Sequence, residues 1–525
     1  MTSTSDTPSI RTMADVVRTH AAQKPHATAM TAGSRSWTYG ALDSESNRVA
    51  QALLTQGVDA EDRVAFLDKN SPEYFTYLFG ASKVNAVTVA VNWRLAPKEM
   101  EYILENSEAK TLLIGEEFLD ALDQMELTVV EQVIVIGTPR HDEQTSYEEW
   151  IAGQPDEDTG IDAAGTDTCY QLYTSGTTGL PKGVELTNDN FFSMLHIATE
   201  EWRFDEQSVS LVAMPLFHIA GSGWGVVSLY MGAQAVLMRD VDPMLILQVI
   251  PEFGVTNAIL VPAVLQILQQ IPQAQETDFS SLRSMVYGAS PITEEVLVGA
   301  MKMMGCEFMQ AYGLTETTGG ATILRSKDHD PGGPRANLLR SAGEPWGDTE
   351  LKIIDAETLA EMPDGEVGEI LIKSSQNMKG YWKNPQATEE AFLEGGWFRT
   401  GDAGYLQDGY LFIHDRVKDM IVSGGENIYP AEVENALMAH DEIADVAVIG
   451  VPSEKWGETV KAIVVPAPGT EPNDREVIAY CRERLAHYKC PTSVDFTEAI
   501  PRNPSGKILK TELRKPFWEG RDRMV

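Results

Sequence analysis

At 525 residues the chain is too long for one hydrophobic core and is expected to hold roughly three to four compact units. Its 23% charged and 43% hydrophobic residues lie near the soluble globular average, which excludes a largely disordered chain. The 41 basic against 78 acidic side chains give a formal charge of −37, which argues against nucleic acid as a partner and says nothing about the reaction.

The segment from Met1 to Pro8 has neither a basic region nor an apolar core, so no secretory signal is expected. Leu42, Val49 and Leu53 fall at helical spacing, a strand follows at 63–67, and a helix starts at Pro72. Apolar strands at 87–91, 111–114 and 133–137 continue the alternation, which predicts α/β layers with largely parallel sheets and function on loops beyond strand ends. Residues 208–238 carry no charge apart from the titratable His218 and are long enough to suggest a membrane span. Pro215, Gly221, Gly223, Gly225 and Gly232 break that run, so a buried strand leading into a Gly-rich helix is the better reading. After about residue 340, short strands at 351–354, 368–373 and 410–413 predict a small β-barrel-like unit. The charged stretch 415–419 reads as a hinge between a domain at 1–414 and a compact α+β tail at 420–525. Cys169, Cys306, Cys481 and Cys490 show neither a C-x-x-C pair nor zinc spacing, which fits a reducing cytoplasm.

Residues 173–183, Tyr-Thr-Ser-Gly-Thr-Thr-Gly-Leu-Pro-Lys-Gly, have the composition of a phosphate cradle. Gly176, Gly179 and Gly183 let the backbone approach an oligophosphate; Thr174, Ser175, Thr177 and Thr178 add hydroxyls, and Lys182 a mobile charge. The loop is not a Walker A motif, because Lys182 follows Pro181 and precedes Gly183. A second segment, Gln310-Ala311-Tyr312-Gly313-Leu314-Thr315-Glu316, offers an aromatic face for a purine at Tyr312, a hydroxyl for the α-phosphate at Thr315 and a carboxylate for Mg²⁺ at Glu316. Alone it reads equally as a strand end with a solvated acid.

Together the two segments resemble the signature motifs of the adenylate-forming superfamily, and specifically its AMP-forming acyl-CoA synthetases. Further segments carry the resemblance. Gly288, Ala289 and Ser290 match the lining of the adenine and acyl pockets, Asp402 the ribose ligand with Arg416 assisting it, and Lys507 the catalytic lysine. The resemblance spans nearly the whole chain. It implies two α/β subdomains plus a distorted β-barrel, then a small mobile C-terminal lid turning at Lys418. Magnesium is implied at Thr174 and Glu316. Lys510 reads as a solvated lysine.

The implied chemistry joins a carboxylic acid to ATP as an acyl-adenylate, releasing pyrophosphate, with Lys507 bridging the anions. The lid then presents Gly424, Gly425 and Glu426 and admits CoA, giving acyl-CoA and AMP. Segment 215–224 matches the motif contributing to the acyl pocket, with His218 beside the carboxylate and Gly221, Ser222, Gly223 and Trp224 shaping the slot, together with Gly288 and Gly313. The glycines equally permit close helix packing. No acidic residue lies between Leu211 and Arg239 to pair with a substrate ammonium, which favours a fatty, aryl or steroid-side-chain acid over an amino acid. A ligase loading a carrier protein shares every motif, although the insertion typical of fatty acyl-AMP ligases is not apparent. A luciferase-like oxygenase shares the first step. A non-catalytic sensor would be expected to lose Lys507 or Glu316. The sequence leaves a homodimer open.

Overall fold

The computed structural model describes residues 10–174, 180–290, 292–416, 419–423, 426–453, 456–502 and 508–519, with the backbone alone at 415, 416, 422, 426, 427 and 457. Among these residues the strands form four sheets. Two are built around parallel strands that bury both faces, and their sequences are accordingly near-continuous apolar runs: every residue of Arg63–Leu67, Val87–Ala90 and Ser284–Gly288 is buried. The first sheet runs Gly380–Tyr381, Lys182–Thr187, Thr168–Thr174, Val87–Ala90, Arg63–Leu67, Ala109–Gly115, Gln132–Ile136 and Gln144–Ser146. The second carries Val209–Val212, Asn257–Leu260, Ser284–Gly288 and Glu307–Tyr312 as adjacent parallel strands.

The expectation of largely parallel sheets holds only for their centres. Lys182–Thr187 and Gly380–Tyr381 add antiparallel strands at one edge of the first sheet, and Thr322–Leu324 does so beside Glu307–Tyr312 in the second. A hairpin return needs only a short loop, whereas a parallel neighbour needs a crossover. Both antiparallel additions lie beside the phosphate and adenine motifs.

The helix Pro72–Ser82 is buried along all eleven residues, which explains why it lacks a polar stripe. It packs on the Gly-rich helix Ile219–Tyr230, where a Cβ on Gly225 would stand 2.5 Å from Phe75 Cζ. Residues 208–238 are therefore an interior strand and helix, as their glycines and proline suggest, followed by a second strand Gln234–Leu237, and among the described residues no helix is long and apolar enough to cross a membrane.

Glu350–Ile354, Gly368–Lys373, Trp397–Gln407 and Tyr410–Arg416 form an antiparallel sheet with its own small core of Ile353, Ile370, Ile372 and Leu411. Beyond residue 419 the chain builds a further mixed sheet around the long hairpin Ile443–Ser453 and Gly457–Pro466. Its core, which includes Ile421, Val433, Val448, Val464 and Cys481, is separate from the large N-terminal one.

Candidate active site

The phosphate-cradle motif connects two antiparallel strands, Thr168–Thr174 and Lys182–Thr187, in which Thr174 stands opposite Lys182. Both residues are half-buried. Ser175, Gly176, Thr177, Thr178 and Gly179 lie outside the described residues. Lys182 Nζ sits 4.7 Å above the ring of Tyr381, whose strand continues the same sheet. The Tyr381 hydroxyl donates to Glu316 Oε1 at 3.0 Å. Glu316 is only 8% exposed, and its carbonyl accepts from Met378 N at 2.8 Å. One line of contacts thus joins Lys182, Tyr381 and Glu316 across the two sheets. Tyr381 was not singled out in the sequence, because it lies 65 residues from its partner and no local pattern marks it.

The adenine segment grows from the second sheet. Gly288 pairs with Ala311, and a Cβ there would lie 2.2 Å from the Ala311 carbonyl oxygen, so only glycine lets these strands close. Ala289 follows in the left-handed region at φ +64° and is exposed; Ser290 is half-buried. Gln310, Ala311 and Tyr312 end the next strand, and at Gly313 a Cβ would stand 2.7 Å from the Gly319 oxygen. The chain then turns through Thr315–Thr317, which presents half-buried Thr315 beside Glu316. Tyr312 donates its hydroxyl to Asp402 Oδ2 at 2.8 Å. Asp402 also pairs across the ladder with Arg416, whose side chain is outside the described atoms.

His218 stands at the N-cap position of the helix Ile219–Tyr230, its ring tilted by 51° against that of Phe217 with centroids 4.7 Å apart. Its Nε2 is enclosed with no hydrogen-bond partner among the described residues. Burial, helped by the Arg94 guanidinium, lowers its pKa from 6.5 to about 4, so the ring is a neutral imidazole at pH 7. Above pH 6.5 this has no effect on stability. As pH falls below 6.5 the unfolded chain takes up the proton first, and stability is lost down to about pH 4, by at most roughly 3 kcal/mol. His218→Gln is therefore expected to flatten the fall in urea-unfolding stability over this window; an unchanged slope would mean that the ring titrates normally.

The neighbouring pocket residues divide. Trp224 is buried and Gly223 has ordinary clearance, whereas a Cβ on Gly221 would lie 2.2 Å from the Pro215 oxygen, so this glycine is accounted for by close packing. The Ser222 hydroxyl donates to the His218 carbonyl at 3.0 Å.

In the C-terminal unit, Lys418, Gly424, Gly425 and Lys507 lie outside the described residues, and Glu426 is described by its backbone alone. The chain on either side of residues 503–507 is firmly held. Arg502 grips Asp445 through two contacts of 2.8 and 2.7 Å, and Arg502 bridges Ile508 in an antiparallel pair. Lys510, expected to be solvated, is instead buried and paired with Glu434 at 3.0 Å. The sequence cannot signal this, because Glu434 lies on the distant helix Pro430–Met438.

Among the described residues no cluster of three metal-binding side chains occurs. Glu316, a buried carboxylate that accepts from the Tyr381 hydroxyl, has the donor chemistry that magnesium bound mainly through phosphates takes from a protein.

Comparison with known families places this arrangement. Residues 17–382 match the AMP-binding enzyme model, and residues 432–507 match the AMP-binding enzyme C-terminal domain. The chain belongs to the AMP-binding enzyme family. It is an adenylate-forming ligase of the acyl-CoA synthetase type. Among relatives in the family, a fatty acid–[acyl-carrier-protein] ligase from Streptomyces coeruleorubidus is 40% identical over 99% of both chains. The long-chain-fatty-acid–CoA ligase FadD13 of Mycobacterium tuberculosis is 37% identical over 91% of this chain and 93% of its own. The crystal structure of the anthranilate CoA ligase AuaEII with anthranoyl-AMP superposes with a TM-score of 0.88 at 28% identity, covering 96% of this chain and 97% of that one.

Proposed function

We propose that the protein activates a non-amino carboxylic acid as its acyl-adenylate and transfers the acyl group to CoA. The observation that carries this reading is the Lys182–Tyr381–Glu316 line beside the Tyr312–Asp402 pair, where Tyr312 ends a parallel strand, the position at which α/β sheets bind nucleotides. Tyr312 would face the adenine, with Gly288, Ala289, Ser290, Gln310 and Ala311 lining its slot, and Asp402 with Arg416 would take the ribose hydroxyls. The cradle from Thr174 to Lys182 would hold the phosphates. Glu316 and Thr174 would hold Mg²⁺, whose chemistry there is to neutralise the leaving pyrophosphate.

In the first step a substrate carboxylate oxygen bonds to the α-phosphorus and the α–β bridging P–O bond breaks. Thr315 would donate to the α-phosphate, and Lys507 would bridge the two anions. His218, neutral at pH 7, would donate one hydrogen bond to the carboxylate without adding charge. In the second step the CoA sulfur bonds to the acyl carbon, the bond to AMP oxygen breaks, and the thiol proton passes to solvent. Rotation about Lys418 would bring Gly424, Gly425 and Glu426 to the site for this step.

CoA is the first choice of acceptor because relatives that differ in their acid, long-chain aliphatic in FadD13 and aromatic in the anthranilate enzyme, share it. A carrier-protein phosphopantetheine is the second reading, favoured by the 40% identity to the acyl-carrier-protein ligase. The test is incubation with Mg-ATP, a panel of acids, and either CoA or a phosphopantetheinylated carrier, following AMP, pyrophosphate and thioester by mass. Thioester on CoA with stoichiometric AMP supports the first reading; thioester on the carrier alone replaces it with the second.

A further inference from the structure

Three indoles stack in the interior beside the proposed acyl slot. Trp202 lies 5.3 Å from both Trp224 and Trp346, with interplanar angles of 40° and 43°. All three are at least nine-tenths buried. Trp224 projects from the helix whose N-cap position His218 holds, six residues and roughly 9 Å further along its axis. Trp346 lies flush on the segment that carries Glu316, since a Cβ on Gly320 would sit 2.2 Å from its Cζ2. Ile219, adjacent to His218, closes on the same segment at Gly319, where a Cβ would stand 3.0 Å from its Cγ1. The three indoles therefore join the helix that begins after His218 to the segment that follows Glu316.

The stack is not an ordinary aromatic core, because its polar atoms are unequally served. With the Gln376 amide in its satisfied orientation, Trp346 Nε1 donates to it at 3.0 Å. Trp202 Nε1 and Trp224 Nε1 are both buried with no hydrogen-bond partner among the described residues. An enclosed N–H without an acceptor is costly, a cost that an apolar ring at either position would not carry. Two such donors in contacting rings are suited to a ligand that brings its own acceptor.

We propose that Trp202, Trp224 and Trp346 form the end wall of the acyl slot, and that the free N–H groups of Trp202 and Trp224 select acids bearing an oxygen acceptor remote from the carboxylate. Ring-hydroxylated or methoxylated aryl acids and keto acids have this chemistry; plain alkyl acids do not. The inference rests on the acid-activating reading and narrows its substrate class.

The test compares kcat/KM for pyrophosphate release on matched acids, 3-phenylpropanoate against its 4-methoxy derivative and hexanoate against 5-oxohexanoate. The oxygenated member of at least one pair is expected to be favoured about 10-fold or more, as for one buried hydrogen bond made or missed. Trp224→Phe and Trp202→Phe should each draw that ratio toward unity, mainly by losing activity on the oxygenated acid. Trp150→Phe, which removes another buried indole lacking a partner but outside this stack, should leave the ratio unchanged. Should the stack variants fail to fold, near-ultraviolet difference spectra of the unaltered protein give a second readout: the oxygenated acid alone should shift the indole bands to the red. Equal use of both acids in both pairs, ratios unmoved in both stack variants, or a high-resolution structure with a buried water on both indoles would overturn the proposal. Absence of pyrophosphate with every acid would instead overturn the acid-activating reading beneath it.

Discussion

Lys507→Ala is expected to lower adenylate formation about 10²- to 10³-fold, the scale on which one preorganised charge at a developing anion acts. Transfer to CoA from chemically prepared acyl-adenylate should be nearly unchanged, because the lysine would serve only the step in which carboxylate and phosphate must be brought together. Rapid-quench assays of the two half-reactions read both numbers. Equal loss in both would sink the division of the lid into two working faces. A melting temperature near the parent's would separate this loss from misfolding, Arg502 on Asp445 and Lys510 on Glu434 being the contacts that tie the flanking chain. The complementary Gly425→Leu is expected to spare adenylation and slow thioester formation.

Glu316→Gln should cost about as much in adenylation as Lys507→Ala, but with a different signature. Glutamine retains an oxygen to accept from the Tyr381 hydroxyl, so the contact across the sheets can persist while the charge disappears. The variant is therefore expected to melt near the parent temperature and to require much more Mg²⁺ for half-maximal activity. Tyr381→Phe keeps the charge and the ring under Lys182 and removes only the orienting hydroxyl. Its loss should be smaller, about 3- to 10-fold as for one neutral hydrogen bond, and should also fall on the Mg²⁺ requirement. Binding of Mg-ATP by calorimetry gives a readout independent of turnover. An unchanged Mg²⁺ dependence in Glu316→Gln would remove Glu316 from the metal's ligands.

Much of the fold is legible where one physical signal dominates. Strands such as Arg63–Leu67 and Gly368–Lys373 fall at the positions that their apolar runs mark, because burial on the sheet is decided locally. The helix at Pro72 begins at its proline for the same reason. Sheet direction is less legible. The antiparallel strands at 182–187 and 322–324 depend on which edge a short return reaches, and 380–381 on a pairing with a strand far back in the chain; alternation of apolar segments encodes neither. At the candidate site, motif residues from distant segments converge as Lys182, Glu316, Tyr312 and Asp402. Their intermediaries were hidden. Tyr381 reads as an ordinary aromatic until strand pairing sets it between lysine and glutamate, and Lys510 reads as solvent-exposed until Glu434 comes round to meet it. Gly221 shows the converse, a glycine suggestive of a roomy pocket whose want of a side chain is explained by the carbonyl of Pro215.

The opposition of Thr174 and Lys182 across one rung of a ladder has a consequence for interpreting variants. The two ends of the cradle are fixed by the sheet behind them, where Arg63 lies 3.4 Å over the Trp382 ring and reaches Glu185 at 2.8 Å. Those contacts lie outside the connecting residues, so part of the cost of bringing the ends together is met by the sheet. Tolerance of the fold and tolerance of the reaction come apart at this point in the chain. An inactive protein with a substitution between the two anchors should still be soluble and melt normally, so its silence reports on phosphate handling rather than misfolding.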